Sequence, residues 1–391
     1  MSEISYLEKL LNGAGVQWKP LEHVARIKHG KDWKGLGDGD VPVYGSGGVM
    51  GYVDAYSYDK PTVLIPRKGS ITNVYYLETP FWNVDTIFYT DIDTAKVVPK
   101  FIYYFMKTID LMALDAGAGR PSLTQAILNK ILIPIPCPET PKKSLAIQAE
   151  IVRILDAFTA LTAELKAELT ARKKQYNYHR DQLLSHPSEN MAWKPLGWVG
   201  DVRMCKRVMK NQTSATGDIP FFKIGTFGGE PNAFISKELF KKFKEKYSYP
   251  SIGDVLISAS GTIGRAVVFD GRDAYFQDSN IVWLENDETK VLNKYLFYFY
   301  QIAKWHVADG GVIKRLYNDN IKKTLIAVPH ADDPQKSLAE QARIVAILDK
   351  FDTLTTSVNE GLPREIELRQ KQYEYYRDLL LSFPKPEGMA A

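Results

Sequence analysis

Cysteine is scarce. The chain has two in 391 residues, Cys137 and Cys205, which excludes a disulfide framework and gives no metal-ligand spacing. The six histidines, His23, His29, His179, His186, His306 and His330, form no HExxH or comparable pattern, so no metal site is expected. No run approaches roughly 18 uncharged apolar residues, and the opening MSEISYLEKL has no basic flank followed by an apolar core. Neither a membrane span nor a signal peptide is expected, and the expected location is the cytoplasm. The phosphate loop GxxxxGK(S/T) is absent, so ATP-driven translocation is not encoded here. The Asn/Asp-Pro-Pro-aromatic tetrapeptide of an amino-methyltransferase is absent too. Asp287-Glu288-Thr289-Lys290 holds a fragment of a nuclease-like ExK pattern, but so short a charged pattern recurs by chance in any chain of this size. A net charge of +4 permits nucleic-acid binding without arguing for it.

What is present is an ordinary globular composition, 45% hydrophobic and 25% charged, in a length that suits two or three domains. The chain also repeats itself. KSLAIQAEIVRILDAF (Lys143–Phe158) returns as KSLAEQARIVAILDKF (Lys336–Phe351), identical at 12 of 16 positions. KQYNYHRDQLLS (Lys174–Ser185) returns as KQYEYYRDLLLS (Lys371–Ser382), identical at 9 of 12. The offsets, 193 and 197, place four extra residues in the second copy near Val358–Arg364. Ile147, Ile151, Ile154, Phe158, Leu161 and Leu165 alternate steps of four and three, the rhythm of a coiled-coil seam. Ile344, Ile347, Phe351, Leu354 and Val358 keep the same rhythm. Two long helices with matching seams are expected to pack on each other. Ser144 is the expected N-cap of the first, and Gly361 and Pro363 are expected to break the second, with a restart at Pro363.

The repeat is larger than the helices. Trp18-Lys19-Pro20-Leu21 recurs as Trp193-Lys194-Pro195-Leu196, and a variable region separates each tetrapeptide from its helix. A short amphipathic helix at Ser5–Leu11 resembles the ends of the long helices, as in a circular arrangement. Both variable regions contain a Gly-Asp-(Val/Ile)-Pro step, at Gly39–Pro42 and Gly217–Pro220. Both then carry a strand-to-turn unit, Thr62–Pro66 into Arg67-Lys68-Gly69-Ser70 and Asp254–Ser258 into Ser260-Gly261-Thr262-Ile263-Gly264. Their short β-branched and aromatic runs, separated by Gly, Pro and Asn, predict mostly β structure. Helices are expected near Lys100–Leu114 and Asn293–Val307, followed by turns at Gly117–Pro121 and Gly310–Arg315 and an apolar strand. The second region is longer, 143 positions from tetrapeptide to helix against 125.

This organisation resembles the specificity subunit of type I restriction–modification systems. Thr162-Ala163-Glu164-Leu165 followed by Lys166-Ala167-Glu168-Leu169 is similar to the four-residue repeats in the central helix of the class C branch. The likeness includes the opening MSEISYLEKLL and the ending Gly361–Glu387, is specific over both long helices and both termini, and is only architectural over the variable regions. It implies an α+β fold with internal duplication in a pseudo-twofold, circular arrangement. Two β-rich target recognition domains, 1–142 and 189–335, would be joined by two long antiparallel coiled-coil spacer helices, 143–188 and 336–391. It implies a chain without a catalytic centre that binds double-stranded DNA at a split target. By the same resemblance, two modification (methyltransferase) subunits would dock on it, and restriction (translocase) subunits would be added for cleavage. No cofactor is expected in this chain; S-adenosylmethionine, ATP and Mg are expected on the partners. The competing classes are a stand-alone DNA-modifying enzyme and a coiled-coil scaffold that binds proteins only.

Groove reading requires donors and acceptors on loops, with Lys or Arg to hold phosphates. The candidates are Lys31, Lys34, Ser46 in the Gly45–Gly48 loop, Arg67, Lys68, Ser70 and Arg120 in the first region. In the second they are Lys223, Ser258, Ser260, Thr262, Arg265, Lys314 and Arg315. Ala259-Ser260 stands where the first region has Arg67-Lys68, which suits two domains that read different bases. An ordinary solvated surface is an equal explanation for any one of these residues. Tyr44, Tyr75, Tyr76 and Trp82 fit a β core better than base stacking, and the glutamates in Lys237–Lys246 favour an exposed helix face. Tyr176, Tyr178 and Arg180, with their counterparts Tyr373, Tyr375 and Arg377, are candidates for partner contacts; packing of the helix ends explains them equally.

Overall fold

The computed structural model of the chain describes residues 6–115, 121–185, 191–307, 314–357 and 360–385. It divides into two compact units, one of Met1–Ala167 with Glu365–Ala391 and one of Glu168–Arg364. The first half of the chain runs α1 (Tyr6–Leu11), β1 (Val16–Pro20), β2 (Ala25–Lys28), β3 (Val41–Gly45), β4 (Gly48–Val53), β5 (Thr62–Pro66), β6 (Tyr75–Leu77), β7 (Trp82–Asn83), β8 (Ile87–Ile92), α2 (Pro99–Met106), α3 (Gln125–Asn129), β9 (Leu132–Pro136) and α4 (Pro141–Ser185). The second half runs β10 (Met191–Pro195), α5 (Leu196–Val199), β11 (Gly200–Arg203), β12 (Ile219–Phe222), β13 (Phe234–Ile235), α6 (Lys237–Lys246), β14 (Val255–Ser258), β15 (Ala266–Val268), β16 (Tyr275–Phe276), β17 (Ile281–Asn286), α7 (Asn293–Tyr300), α8 (Asn318–Lys323), β18 (Leu325–Pro329), α9 (Pro334–Thr356) and α10 (Gly361–Leu381).

The repeated tetrapeptide has a structural reason. β1 pairs antiparallel with β9, Trp18 opposite Pro134 and Pro20 opposite Leu132, and β10 pairs with β18 with Pro195 opposite Leu325. These ribbons are two-stranded, so their prolines lose no ladder bond to a third strand. A four-stranded antiparallel sheet follows in each half, in the order β2-β8-β5-β6 and then β11-β17-β14-β15. A three-stranded sheet completes each half, β4-β3-β7 and β13-β12-β16, with its last pair parallel both times. The duplication therefore extends strand for strand through the regions whose sequences have diverged. The chain is a mixed α/β protein of two repeated domains.

Each domain is held to a long helix by apolar burial. In the first unit Val63 and Ile65 of β5, Phe101, Ile102 and Phe105 of α2 and Ile147, Ile151, Val152 and Leu155 of α4 share one core with Leu380 and Leu381. In the second, Val255 and Ile257 of β14, Tyr295 and Phe299 of α7 and Ile344 and Leu348 of α9 do the same.

Several expectations change in detail. α2 and α7 end at Met106 and Tyr300, shorter than expected. After α2 the Asp110 carboxylate accepts the backbone N–H groups of Met112 and Ala113, a local turn that competes with further helix. Most of the two glycine-containing turns lies outside the described residues. α4 begins at Pro141, so Ser144 is not its N-cap but is buried one turn inside. The second long helix breaks after Thr356 and resumes at Gly361, two residues before Pro363. Gly361 has φ +76°, and a Cβ there would lie 2.6 Å from the Thr353 carbonyl oxygen. Part of the extra length of the second region is α6, capped by the Ser236 hydroxyl, an exposed helix that buries Phe240.

Of the seam residues, Ile147, Ile151 and Ile344 are buried, while Ile154, Phe158, Leu161, Leu165, Ile347, Phe351 and Leu354 are half-buried. Val358 lies outside the described residues. Leu155 and Leu348 are fully buried although neither belongs to the seam.

Candidate nucleic-acid interface

The candidate loops of the first domain gather on one short segment, Trp82–Thr86, where β7 passes into β8. Lys31 N–H donates to the Asn83 carbonyl at 2.9 Å, and the Trp82 indole donates to the Lys31 carbonyl at 3.1 Å. Gly30 passes so close that a Cβ would lie 2.1 Å from the Val84 carbonyl oxygen, which requires glycine. The Asp32 carboxylate accepts the N–H groups of Trp33 and Lys34. These bonds fix the turn and leave the Lys31 and Lys34 side chains exposed. Ser46 N–H donates to the Thr86 hydroxyl at 3.3 Å, and its carbonyl accepts from Asn73 and Tyr75.

Arg67 N–H donates to the Thr86 carbonyl at 2.8 Å, and Leu123 N–H to the Arg67 carbonyl at 2.8 Å. Gly69, at φ +81°, turns the chain against the Ser46 hydroxyl. The result is a cleft of about 520 Å³ lined by Ser46, Lys68, Gly69, Thr86, Pro121 and Ser122. Lys68 and Ser70 are exposed at it or beside it, while the Arg67 guanidinium lies back over the Phe88 ring. Arg120 lies outside the described residues.

The second domain pins its loops in the same way on Gln277–Asn280, between β16 and β17. Ala259 N–H donates to the Asn280 carbonyl at 2.7 Å and Leu316 N–H to the Ala259 carbonyl at 2.8 Å, as Arg67, Thr86 and Leu123 do in the first. The bridges Lys68–Ser122 and Ser260–Arg315 occupy the same place. The Asn280 side-chain oxygen accepts from the Ser260 hydroxyl at 2.9 Å and from the Arg315 guanidinium at 2.6 Å. Arg265 donates to the Phe227 carbonyl at 2.8 Å and so ties the 222–229 loop, which carries Lys223, to the 259–265 loop. Ser258 is buried; its hydroxyl donates to the Thr262 carbonyl and accepts from Arg265 N–H. Thr262 and Lys314 are exposed, Lys223 is half-buried, and Ser260 is buried.

Sequence reasoning selected these candidate loops without the residues that pin them: Thr86, Asn280 and Gln277, whose side-chain oxygen accepts the Ile224 N–H at 3.0 Å, together with Arg207, which pairs with Asp278 at 2.8 Å. Single polar residues in a two-residue strand and the turn after it carry no motif. Tyr44, Tyr75, Tyr76 and Trp82 are half-buried, each against an apolar cluster, and burial pushes the Tyr44 phenol above its ordinary pKa. Asp287–Lys290 forms a turn into α7, with Asp287 held by Thr289 and Lys290. Those bonds to Thr289 and Lys290 hold its carboxyl below the usual range.

The aromatic candidates on the helices divide by side. Tyr176 is buried, bonded to Gln301 at 3.1 Å and covered by the Arg180 guanidinium; Tyr373 is half-buried under Arg377. Tyr178 and Tyr375 point outward, 63% and 65% exposed. Among the described residues no helix is long and apolar enough to cross a membrane, and no group of three or more His, Cys, Asp or Glu converges as a metal site.

The family described as the type I restriction modification DNA specificity domain matches the chain twice, at residues 16–172 and 188–368. A Haemophilus influenzae protein named as a type I restriction enzyme specificity subunit is 50% identical over 395 residues, covering 97% of this chain and 98% of that one. The Escherichia coli EcoR124I/EcoR124II specificity subunit is 36% identical over 417 residues, covering both chains completely. Among solved structures, the type I S subunit from M. genitalium superposes with a TM-score of 0.56 at 15% identity, covering 96% of this chain and 98% of that one. A chain from a study of type I complex assembly and conformational transition gives 0.56 at 16% identity, covering 94% and 97%. At those identities the two superpositions speak for the fold alone.

Proposed function

The chain belongs to the type I restriction modification DNA specificity family, and from that membership we propose that it selects the DNA sequence on which methyltransferase and restriction subunits act. Its role is recognition, and the chemistry belongs to its partners. The observation that carries this reading is the doubled loop cluster. The backbone pinning around Thr86 recurs around Asn280, while Arg67-Lys68 is replaced by Ala259-Ser260. One scaffold with two sets of side chains suits two half-sites of different sequence.

Exposed Lys31, Lys34, Lys68, Ser70, Thr262 and Lys314, with half-buried Lys223, are the groups that reach phosphates and base edges. Ser258, Ser260, Arg265 and Arg315 hold the loops that carry them. The recognition domains comprise 1–142 and 189–335. The segments 143–188 and 336–391 act as an antiparallel coiled-coil spacer that fixes a non-specific gap between the half-sites. Supporting this are the seam rhythm and a helix–helix ring stack made by corresponding residues in each unit. In the first unit the Phe158 ring stacks on Tyr376 at 5.1 Å, and in the second Phe351 stacks on His179 at 5.6 Å.

The repeated four-residue units Thr162–Leu165 and Lys166–Leu169 favour a class C partner set, with two modification subunits that carry S-adenosylmethionine. ATP and Mg belong to the restriction subunits. The cytoplasm, where the DNA is, is the site of action. Outward-facing Tyr178 and Tyr375 are the aromatic positions open to a docked subunit.

The double substitution Arg67→Ala with Lys68→Ser in the assembled methyltransferase tests the loop assignment. The methylated motif is expected to change or relax in one half, with the other half and the gap intact. An unchanged motif would remove these loops from recognition.

A further inference from the structure

Each recognition domain is attached to its long helix by the same polar fitting. Gln148 on α4 is fully buried; its side-chain oxygen accepts the Val98 N–H at 2.8 Å, at the start of α2. Its amide nitrogen donates to the Lys96 carbonyl at 3.3 Å and to the Ser144 hydroxyl at 3.1 Å. On α9, Gln341 takes the Leu292 N–H at 2.9 Å and gives to the Lys290 carbonyl and the Ser337 hydroxyl, both at 3.0 Å. Two helical turns further along each helix stands a second anchor. Asp156 holds Lys100 at 2.9 Å and the Tyr104 hydroxyl at 2.5 Å, and Asp349 holds Lys294 at 3.0 Å and the Tyr298 hydroxyl.

Apolar burial is non-directional and leaves a helix free to roll or tilt at small cost. Two directional anchors about 12 Å apart along the helix remove that freedom. The Gln anchor is also indifferent to domain sequence. The helix supplies the side chains, Gln148 with Ser144 or Gln341 with Ser337, whereas the diverged domain supplies only main-chain groups.

We infer that Gln148 and Gln341 are positioning residues that set the angle of each recognition domain on its own helix, and thereby the fidelity of the gap between half-sites. This rests on the spacer reading above. A domain of about 145 residues has a radius of gyration of about 15 Å. With that as the lever arm, a tilt of about 13° carries the recognition loops through about 3.4 Å, one base-pair step. A loosened fitting therefore admits neighbouring gap lengths without altering which bases are read.

The test uses the assembled methyltransferase and a methylome for wild type, Gln148→Met, Gln341→Met and the milder Ser144→Ala, which removes one bond. Wild type is expected to show one gap. The Met variants should methylate the same half-sites at gaps one base pair longer or shorter, at least tenfold above the wild-type level of such sites, with Ser144→Ala showing a smaller rise. Lower occupancy at the wild-type gap alone, in variants that assemble, assigns the glutamines a purely structural role and overturns the inference. Should neither Met variant assemble, an unchanged single gap in Ser144→Ala overturns it. A wild-type complex that methylates an undivided motif removes the spacer reading and the inference together.

Discussion

Removing Lys166–Leu169 from α4 is expected to shorten the gap between half-sites by one or two base pairs. The helix is 45 residues long, roughly 67 Å at 1.5 Å per residue. The deletion lies where the two units divide, between Ala167 and Glu168. Gln148 and Asp156 on one side, and Tyr176 and Arg180 on the other, lie outside it and keep their hydrogen bonds. Lys166, Ala167 and Glu168 are exposed, and only Leu169 is half-buried, so the stability cost is about 1 kcal/mol. Four residues remove about 6 Å and turn the remainder by about 40°. A base-pair step is about 3.4 Å and about 35°, so the rotation matches one step and the translation nearly two. A four-residue change also leaves the buried face in place approximately. Sequencing of the methylated bases reads the gap directly. An unchanged gap, or altered half-site bases, would refute the helix as the ruler.

Lys31→Gln, Lys34→Gln and Lys68→Gln should each weaken DNA binding of the assembled complex. Each phosphate that a variant no longer neutralises should reduce the slope of log affinity against log salt by about 0.9. Titrations at several salt concentrations check this, and an unchanged slope removes that lysine from the phosphate set. Asp254 has its carboxyl pushed up, first by burial and then by Glu288 and Glu285, against a bond from Ser251 N–H. A raised folded pKa stabilises in acid and is lost as pH rises through it, so ionised Asp254 weakens the fold at neutral pH. Asp254→Asn should raise the unfolding temperature at pH 7, and the gain should shrink toward pH 4. Burial pushes the Cys205 thiol up to about 12, so alkylation of the folded complex at pH 8 should leave it unmodified until denaturant is added.

Much of the frame is legible in the residues. The four-three rhythm locates the long helices, and WKPL recurs because both copies must pair with the strand that precedes a helix. The polar half of the frame is not legible. Ser144 reads as a helix N-cap and Gln148 carries no signal of its own, yet both are buried, because Gln148 bonds to Ser144 and to main-chain groups of a domain that shares little sequence between copies. A weak repeat marks those partners: Lys96–Met106 and Lys290–Tyr300 agree at 5 of 11 positions, the lysine and tyrosine of the second anchor among them. Leu155 and Leu348 lie outside the four-three rhythm, yet both are fully buried in the core that their helix shares with its domain, beside the seam residues Ile147 and Ile151 in the first unit and Ile344 in the second. The candidate loops are visible as glycine-containing turns, whereas their anchors are single residues such as Thr86 and Asn280 whose roles depend on a parallel strand pair two residues long. The break before Gly361 is visible in composition, but its position is set by a left-handed glycine under the Thr353 and Leu354 carbonyls.

The most direct test of the central claim is a methylome of cells that lack other adenine methylation and express this chain with a class C modification subunit. A split motif with one fixed gap, methylated once on each strand, is the expected result. Methylation of a single undivided motif, or its absence from a complex shown to have assembled, would contradict the account.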